Sequence, residues 1–205
     1  DSVVAQIEGV TAAVVAGADR MAIQSLLPAG AARNAVDCAF WDLEAKRAGQ
    51  PAWRLAGLEK APGPLTTAYT LSLDTPEKMG QAAAANSHRP LLKIKLTGEG
   101  DLARVEAIRA NAPSSRLIVD ANEGWSEGHF PEYAPKLAAL GVVLIEQPLH
   151  ADRDGPLARI ARPIPVCADE ACHDRHSLPK LAGKYDLVNI KLDKTGGLTE
   201  ALELA

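Results

Sequence analysis

The 205-residue chain is 47% hydrophobic and 23% charged, with 22 Lys and Arg against 26 Asp and Glu and a net charge of −4. These proportions exclude a disordered or collagen-like chain, and the absence of a strong basic run argues against a nucleic-acid binder, so the expected partner is a small molecule or a protein. The longest strongly apolar stretch, Leu137 to Ile145, is broken by Gly141 and is too short for a membrane span, and Cys38, Cys167 and Cys172 form no CxxC or CxxH signature, so a cytoplasmic location is expected.

From the N-terminus, residues 1 to about 59 read as helical. Val3, Val4, Ile7 and the run from Val10 to Val15 are apolar, and Val36, Phe40, Leu43 and Arg47 recur at helical spacing until Gly49 and Pro51 end the pattern. Pro62-Gly63-Pro64 marks a linker, which divides the chain into a helical part, 1–60, and a second part, 61–205. Trp41 and Trp53 read as packing residues.

Beyond the linker, short apolar runs alternate with amphipathic stretches, the pattern of successive βα units. Strands are expected at Thr66–Leu73, Leu91–Leu96, Arg116–Asp120, Val142–Glu146, Pro165–Asp169 and Leu187–Lys191. Helices are expected at 75–86, 100–111, 127–140, 153–161 and 174–183, with another opening at Gly197. Asp74-Thr75-Pro76-Glu77 is a good helix start, with a capping oxygen and Pro in the first turn. About six such units suit a (β/α) barrel or a doubly wound sheet.

Five of these strands end in a charged residue: Lys95, Asp120, Glu146, Asp169 and Lys191, each about 22 to 26 residues from the last. Any one of them alone reads as a cap or a solvated loop residue. Five in succession, one βα unit apart, converge at the C-terminal end of a parallel sheet, where barrel enzymes place their chemistry. Lys93 and Lys95 are two apart, so strand alternation turns both inward, whereas Leu92, Ile94 and Leu96 pack under helices.

Three carboxylates from successive strands, without His or Cys, suit a hard divalent cation, hence Mg²⁺. Such a cation can hold a substrate carboxylate and neutralise the charge that appears when the adjacent carbon loses its proton. Lys95 and Lys191 flank the carboxylates and can serve as acid and base on opposite faces of the substrate. The charge of Lys93 and of the cation is expected to bring such a lysine into the range of a useful base.

These residues resemble the enolase superfamily, muconate-lactonising subgroup. The resemblance is carried by Lys93-Ile94-Lys95, by Val119-Asp120-Ala121-Asn122-Glu123-Gly124-Trp125, by Ile145-Glu146-Gln147-Pro148, by Ala168-Asp169-Glu170 and by Asn189-Ile190-Lys191-Leu192-Asp193-Lys194-Thr195-Gly196-Gly197-Leu198. The segment Ala31 to Glu44 is similar to the helix that joins that family's capping domain to its barrel.

The resemblance implies a partial (β/α) TIM-like barrel of about six βα units, preceded by helices of a truncated α+β capping domain. It implies Lys95 and Lys191 as the acid/base pair and Asp120, Glu146 and Asp169 as Mg²⁺ ligands. Thr70 and Lys93 are implied as substrate contacts, with Asn122 and Glu170 as residues that orient ligands or a lysine. Within the subgroup the chain is most similar to dipeptide epimerases of the L-Ala-D/L-Glu type, which implies two-base 1,1-proton transfer through a metal-stabilised enediolate on a murein-derived dipeptide, and is compatible with a homo-oligomer.

Two readings compete with this one: an o-succinylbenzoate synthase or muconate-type cycloisomerase using the same half-reaction, and an inactive fragment. The family's barrel has eight strands and carries a substrate-binding Asp-X-Asp on the last, so the chain is expected to be part of a protein of ~320 residues. Further features have plain readings. Gly196-Gly197 is a turn rather than an anion site, His173 and His176 share a helix start three apart but lack a Glu partner and are not read as a metal pair, His88, His129 and His150 are loop residues, and Trp125 is a candidate pocket residue.

Overall fold

The computed structural model describes residues 2–205. They form two compact units, one of residues up to 64 with 173–178 and 190–205, the other of residues 65–172 and 179–189.

The second unit is built on six parallel strands: β1 Tyr69–Leu71, β2 Leu91–Lys95, β3 Arg116–Asp120, β4 Val142–Glu146, β5 Val166–Ala168 and β6 Leu187–Val188. Their order in the sheet is their order in the chain. Successive right-handed crossovers in one direction put every helix on the same face, which is barrel topology; a doubly wound sheet would reverse its order part-way. Pro76–Ala85, Asp101–Asn111 and His129–Ala139 are the long crossover helices, the first capped by the Thr75 hydroxyl, which accepts from the Lys78 amide at 3.4 Å. Leu92, Ile94 and Leu96 are buried with Val105, Ile108, Phe130 and Leu137 in one apolar core. Each such side chain contributes about 1.5–3 kcal/mol of burial.

The expected elements differ from the observed ones mainly after β4. The helix expected at 153–161 is instead two 3-10 turns, Ala151–Arg153 and Gly155–Ala158. Pro156 has no N–H to give, and between the turns the Asp154 carboxylate is engaged by Lys184 Nζ at 2.5 Å and the Tyr185 hydroxyl at 2.9 Å. The stretch 174–183 holds one 3-10 turn, Arg175–Ser177, and the short helix Leu178–Leu181, because Pro179 and Gly183 limit it. β6 stops at Val188, where the Asn189 side chain turns to Glu146.

The first unit is helical, with Val3–Gly9, Thr11–Val15, Arg20–Leu26, Ala31–Ala48 and Ala52–Leu55 joined by Leu192–Thr195 and Leu198–Leu204. Gly49 closes the long helix in the left-handed conformation, φ 63°. Trp41 is buried, with its indole N–H donating to Thr199 Oγ1 at 3.0 Å and the Arg20 guanidinium 4.0 Å over its ring.

The turn at Gly196-Gly197 is occupied by the protein's own groups. Asp37, fully buried, accepts from the Thr199 amide at 3.0 Å and hydroxyl at 2.5 Å and from Gln24 Nε2 at 2.8 Å, so this carboxylate supplies the negative charge at the start of Leu198–Leu204. Gly197 has φ 122°, and a Cβ there would strike the Asp37 carboxylate. Asp37→Ala strands three donors, two of them buried, and is expected to lower stability by about 3 kcal/mol in denaturant unfolding. An unchanged midpoint would refute that role.

Candidate active site

The register of the sheet assembles a row. Lys95 pairs with Asp120, Asp120 with Glu146, and Glu146 with Cys167, so all four side chains leave the same face at the same height. Asp169 lies two residues beyond Cys167, just past the end of β5, and the alternation of a strand returns it to that face. One oxygen from each of Asp120, Glu146 and Asp169 lies within 4.8 Å of the others, and all three residues are buried. Among the described residues this is the grouping of acidic, His or Cys side chains with the spacing of a metal site.

Both β2 lysines reach the cluster. Lys93 Nζ is 2.9 Å from Asp120 Oδ2 and 2.6 Å from Glu146 Oε2, and Lys95 Nζ is 2.7 Å from Asp120 Oδ2. Burial opposes the charge on Lys93, but its hydrogen bonds to Glu146 and Asp120 outweigh that and hold its pKa above the ordinary lysine value. Burial lifts the Glu146 carboxyl above its usual range, and Lys93 only partly offsets it.

Charge and donor type fit a divalent ion. Three carboxylates against two ammoniums leave one negative charge in the cluster; a doubly charged cation makes it one positive, which a substrate carboxylate balances. All donors are oxygens, the set preferred by Mg²⁺.

The loops that frame this cluster are tightly turned. Asn122, Glu123 and Gln147 have φ of 46°, 64° and 36°, left-handed values unusual for residues other than glycine. At Gly124 a Cβ would lie 2.6 Å from the Thr97 carbonyl, so only glycine allows the approach of the loops after β2 and β3. Trp125, a candidate pocket residue from its sequence position, is mostly buried and lines a cavity with Glu123, His129 and His150; its indole N–H donates to Asp101 Oδ2 at 2.8 Å and its ring meets Phe130 and Tyr133 edge-on. Asp101 also accepts from the Thr97 and Gly98 amides, so the two loops are tied together.

The remaining sequence candidates fall as follows. Thr70 pairs in register with Lys93 and is exposed. Asn122 donates its amide N–H to Asp120 Oδ1 at 3.0 Å and its side-chain Nδ2–H to Glu170 Oε1 at 3.3 Å; Glu170 Oε2 is buried without a donor. Lys191 belongs to the helical unit, where it precedes the helix Leu192–Thr195. His173 and His176 lie outside the acidic cluster, and the His176 amide donates to Asp174 at the start of a 3-10 turn. Cys167 faces the carboxylates, and burial followed by the Glu146 and Asp169 charges pushes its thiol up to about 12, which leaves it inert as a nucleophile.

Two functional side chains escape a reading based on charge. Asn189 Nδ2 donates to Glu146 Oε1 at 3.0 Å, and Gln147 accepts from the Asp169 amide at 2.8 Å. Both are neutral amides beside the charged strand ends, and the only signal available was their position next to a buried strand terminus.

The model of the mandelate racemase/muconate lactonizing enzyme N-terminal domain matches residues 1–57, and that described as enolase C-terminal domain-like matches residues 77–205. The chain belongs to the mandelate racemase/muconate lactonizing enzyme family. Among members of this family, it is 52% identical over 179 residues to an N-acetyl-D-glutamate racemase of Pseudoalteromonas, covering 87% of the chain and 56% of that relative. It is 47% identical over 206 residues to the L-Ala-D/L-Glu epimerase of Escherichia coli K12, covering 100% of the chain and 64% of that relative. A dipeptide epimerase of Enterococcus faecalis V583, solved with Mg and the dipeptide L-Leu-L-Tyr, superposes with a TM-score of 0.88 at 30% identity over 98% of the chain and 61% of its own. The chain therefore spans less than two thirds of the length of each. These relatives do not favour the o-succinylbenzoate synthase or cycloisomerase outcome.

Proposed function

We propose that the protein carrying this chain is a Mg²⁺-dependent isomerase that epimerises the carbon next to the carboxylate of an N-acylated glutamate, with a dipeptide of the L-Ala-D/L-Glu type as its substrate. The observation that carries this reading is the buried cluster of Asp120, Glu146 and Asp169 with lysine ammoniums in contact with it. Names among the relatives support it: the Escherichia coli protein is an L-Ala-D/L-Glu epimerase and the Pseudoalteromonas protein an N-acetyl-D-glutamate racemase. Both substrates carry an acylated amine and an acidic α-proton.

Asp120, Glu146 and Asp169 are the residues to hold the cation. Mg²⁺ bound there supplies a positive charge that stabilises the electrons left on the substrate carboxylate when the α-proton departs. Asn189 holds Glu146 through Oε1. Lys93 presents a permanent positive charge toward the substrate carboxylate, with Thr70 beside it in register as a polar contact. Lys95 and Lys191 carry the proton. In this reading neutral Lys95, at the end of β2, removes the proton from one epimer while protonated Lys191, assigned by the family resemblance of its segment, delivers one to the other face, and the roles reverse in the opposite direction. The two lysines must therefore begin each turnover in opposite protonation states. Asn122 and Glu170 orient this machinery through the Asp120 carboxylate and a shared hydrogen bond.

A cytoplasmic location and a homo-oligomeric state complete this reading. Cys38, Cys167 and Cys172 as thiols fit a reducing compartment. Among the described residues no helix is long and apolar enough to cross a membrane.

The test is incubation with Mg²⁺ in deuterated water with L-Ala-L-Glu, L-Ala-D-Glu and N-acetyl-D-glutamate. Deuterium at the glutamate α-carbon together with stereochemical inversion is expected for the dipeptides. Preferential turnover of N-acetyl-D-glutamate would move the substrate to the second relative's, and absence of exchange in all three would overturn the reading.

A further inference from the structure

Gln147 has no exposed surface, yet every hydrogen-bonding group of its side-chain amide is engaged. Oε1 accepts from the Asp169 amide at 2.8 Å and the Ala171 amide at 3.1 Å. Nε2 donates to the Leu149 carbonyl at 2.9 Å and the Tyr185 hydroxyl at 2.8 Å. Its main chain is equally occupied: the N–H donates to the Cys167 carbonyl and the carbonyl accepts from the Glu123 amide, both at 2.9 Å. One residue thus ties the ends of β3, β4 and β5 to the segment leading into β6, and it does so from a left-handed backbone, φ 36°.

The two amides gripped by Oε1 bracket the turn that presents Asp169 and Glu170. The β5 ladder ends at Ala168, and the next amide, that of Asp169, donates to the Gln147 side-chain oxygen. The Gln147 amide in turn is oriented from behind, because the Tyr185 hydroxyl donates to Asp154 Oδ2 at 2.9 Å and Asp154 Oδ1 receives Lys184 Nζ at 2.5 Å. Burial, followed by the hydrogen bond to Asp154, raises the Tyr185 hydroxyl well above its ordinary range, so it stays a donor.

We infer that Gln147 is a positioning residue for the divalent cation, placing the Asp169 carboxylate through the backbone of residues 169–171, with Tyr185, Asp154 and Lys184 fixing the orientation of its amide. The inference rests on the reading of Asp169 as a cation ligand. Mg²⁺ and Mn²⁺ tolerate little error in the placement of an oxygen, and loss of a group that orients a ligand characteristically costs about 10–100-fold in metal affinity. A glutamate at 147 could not substitute, since its second oxygen would face the Leu149 carbonyl.

The experiment is titration of the full-length protein with Mn²⁺, reading free Mn²⁺ by electron paramagnetic resonance, beside thermal unfolding of the metal-free form. Gln147→Met, which retains the bulk and removes all four hydrogen bonds, is expected to weaken Mn²⁺ binding about 10–100-fold. Tyr185→Phe, a milder change that preserves a measurable protein should Gln147→Met fold poorly, is expected to weaken it in the same direction by a smaller factor. Ile108→Val, in the core beneath the sheet, lowers the melting temperature but should leave the affinity unchanged, which separates positioning from general stability. If Asp169→Asn loses Mn²⁺ while Gln147→Met and Tyr185→Phe bind like Ile108→Val, the inference is overturned and the cation reading stands. If Asp169→Asn itself binds as tightly as the unaltered protein, the cation reading fails and the inference with it.

Discussion

Lys95→Ala and Lys191→Ala should each lower epimerisation by about 10³-fold or more, the range that a positioned proton-transfer group contributes. Rate loss alone would not identify the role, because Lys95 also neutralises Asp120 across 2.7 Å. The distinguishing result is stereochemical. With one lysine removed, the other can still take the α-proton from the epimer that faces it and return solvent deuterium to the same face. Each variant should therefore exchange deuterium into one epimer of the dipeptide without inverting it, and the two variants should choose opposite epimers. Nuclear magnetic resonance of the α-proton in deuterated water reads this directly. Equal residual exchange into both epimers in either variant would remove the two-base assignment.

Asp120→Asn is expected to have the largest combined effect on binding and stability. The carboxylate is fully buried and receives Lys93 at 2.9 Å, Lys95 at 2.7 Å and the Asn122 amide at 3.0 Å. Without its charge the two ammoniums face each other with only Glu146 to pair Lys93. Breaking a buried charge pair by altering one partner costs about 3–5 kcal/mol. The cation would lose one of three anionic oxygens as well, so Mg²⁺ affinity in calorimetry should fall by at least about 100-fold. The two losses are separable: a metal-free melt isolates the lysine term, and the increment in stability on adding Mg²⁺ isolates the cation term. A variant that melts and binds like the parent would show that Asp120 belongs to neither network.

How much of this was legible beforehand depended on charge. The strand ends at Lys95, Asp120 and Glu146 were readable because an ionised group at the end of an apolar run is conspicuous, and the sheet register puts all three in one row. The strands themselves were readable where burial alternates cleanly, as along Leu92, Ile94 and Leu96, and less so after β4. There, Gly155-Pro156 and the Asp154 interactions replace a helix with two turns, a tertiary effect that local composition does not encode. Barrel against doubly wound topology was undecidable from the alternation of elements, since both repeat βα; strand order settles it. The bond that holds Trp125 was not readable, because its distance from a ligand says nothing of Asp101, 24 residues away in sequence, which accepts from its indole N–H. Gln147 and Asn189 went unread as working residues because neutral amides announce themselves only through partners.

The claim on which all of this depends is that Asp120, Glu146 and Asp169 grip one divalent cation. Diffraction from crystals of the full-length protein grown with Mn²⁺, recorded at a wavelength where manganese scatters anomalously, tests it most directly. The predicted result is a single strong anomalous peak in contact with one oxygen of each of the three carboxylates. A peak elsewhere, or none while Lys93 still bridges Asp120 and Glu146, would contradict it.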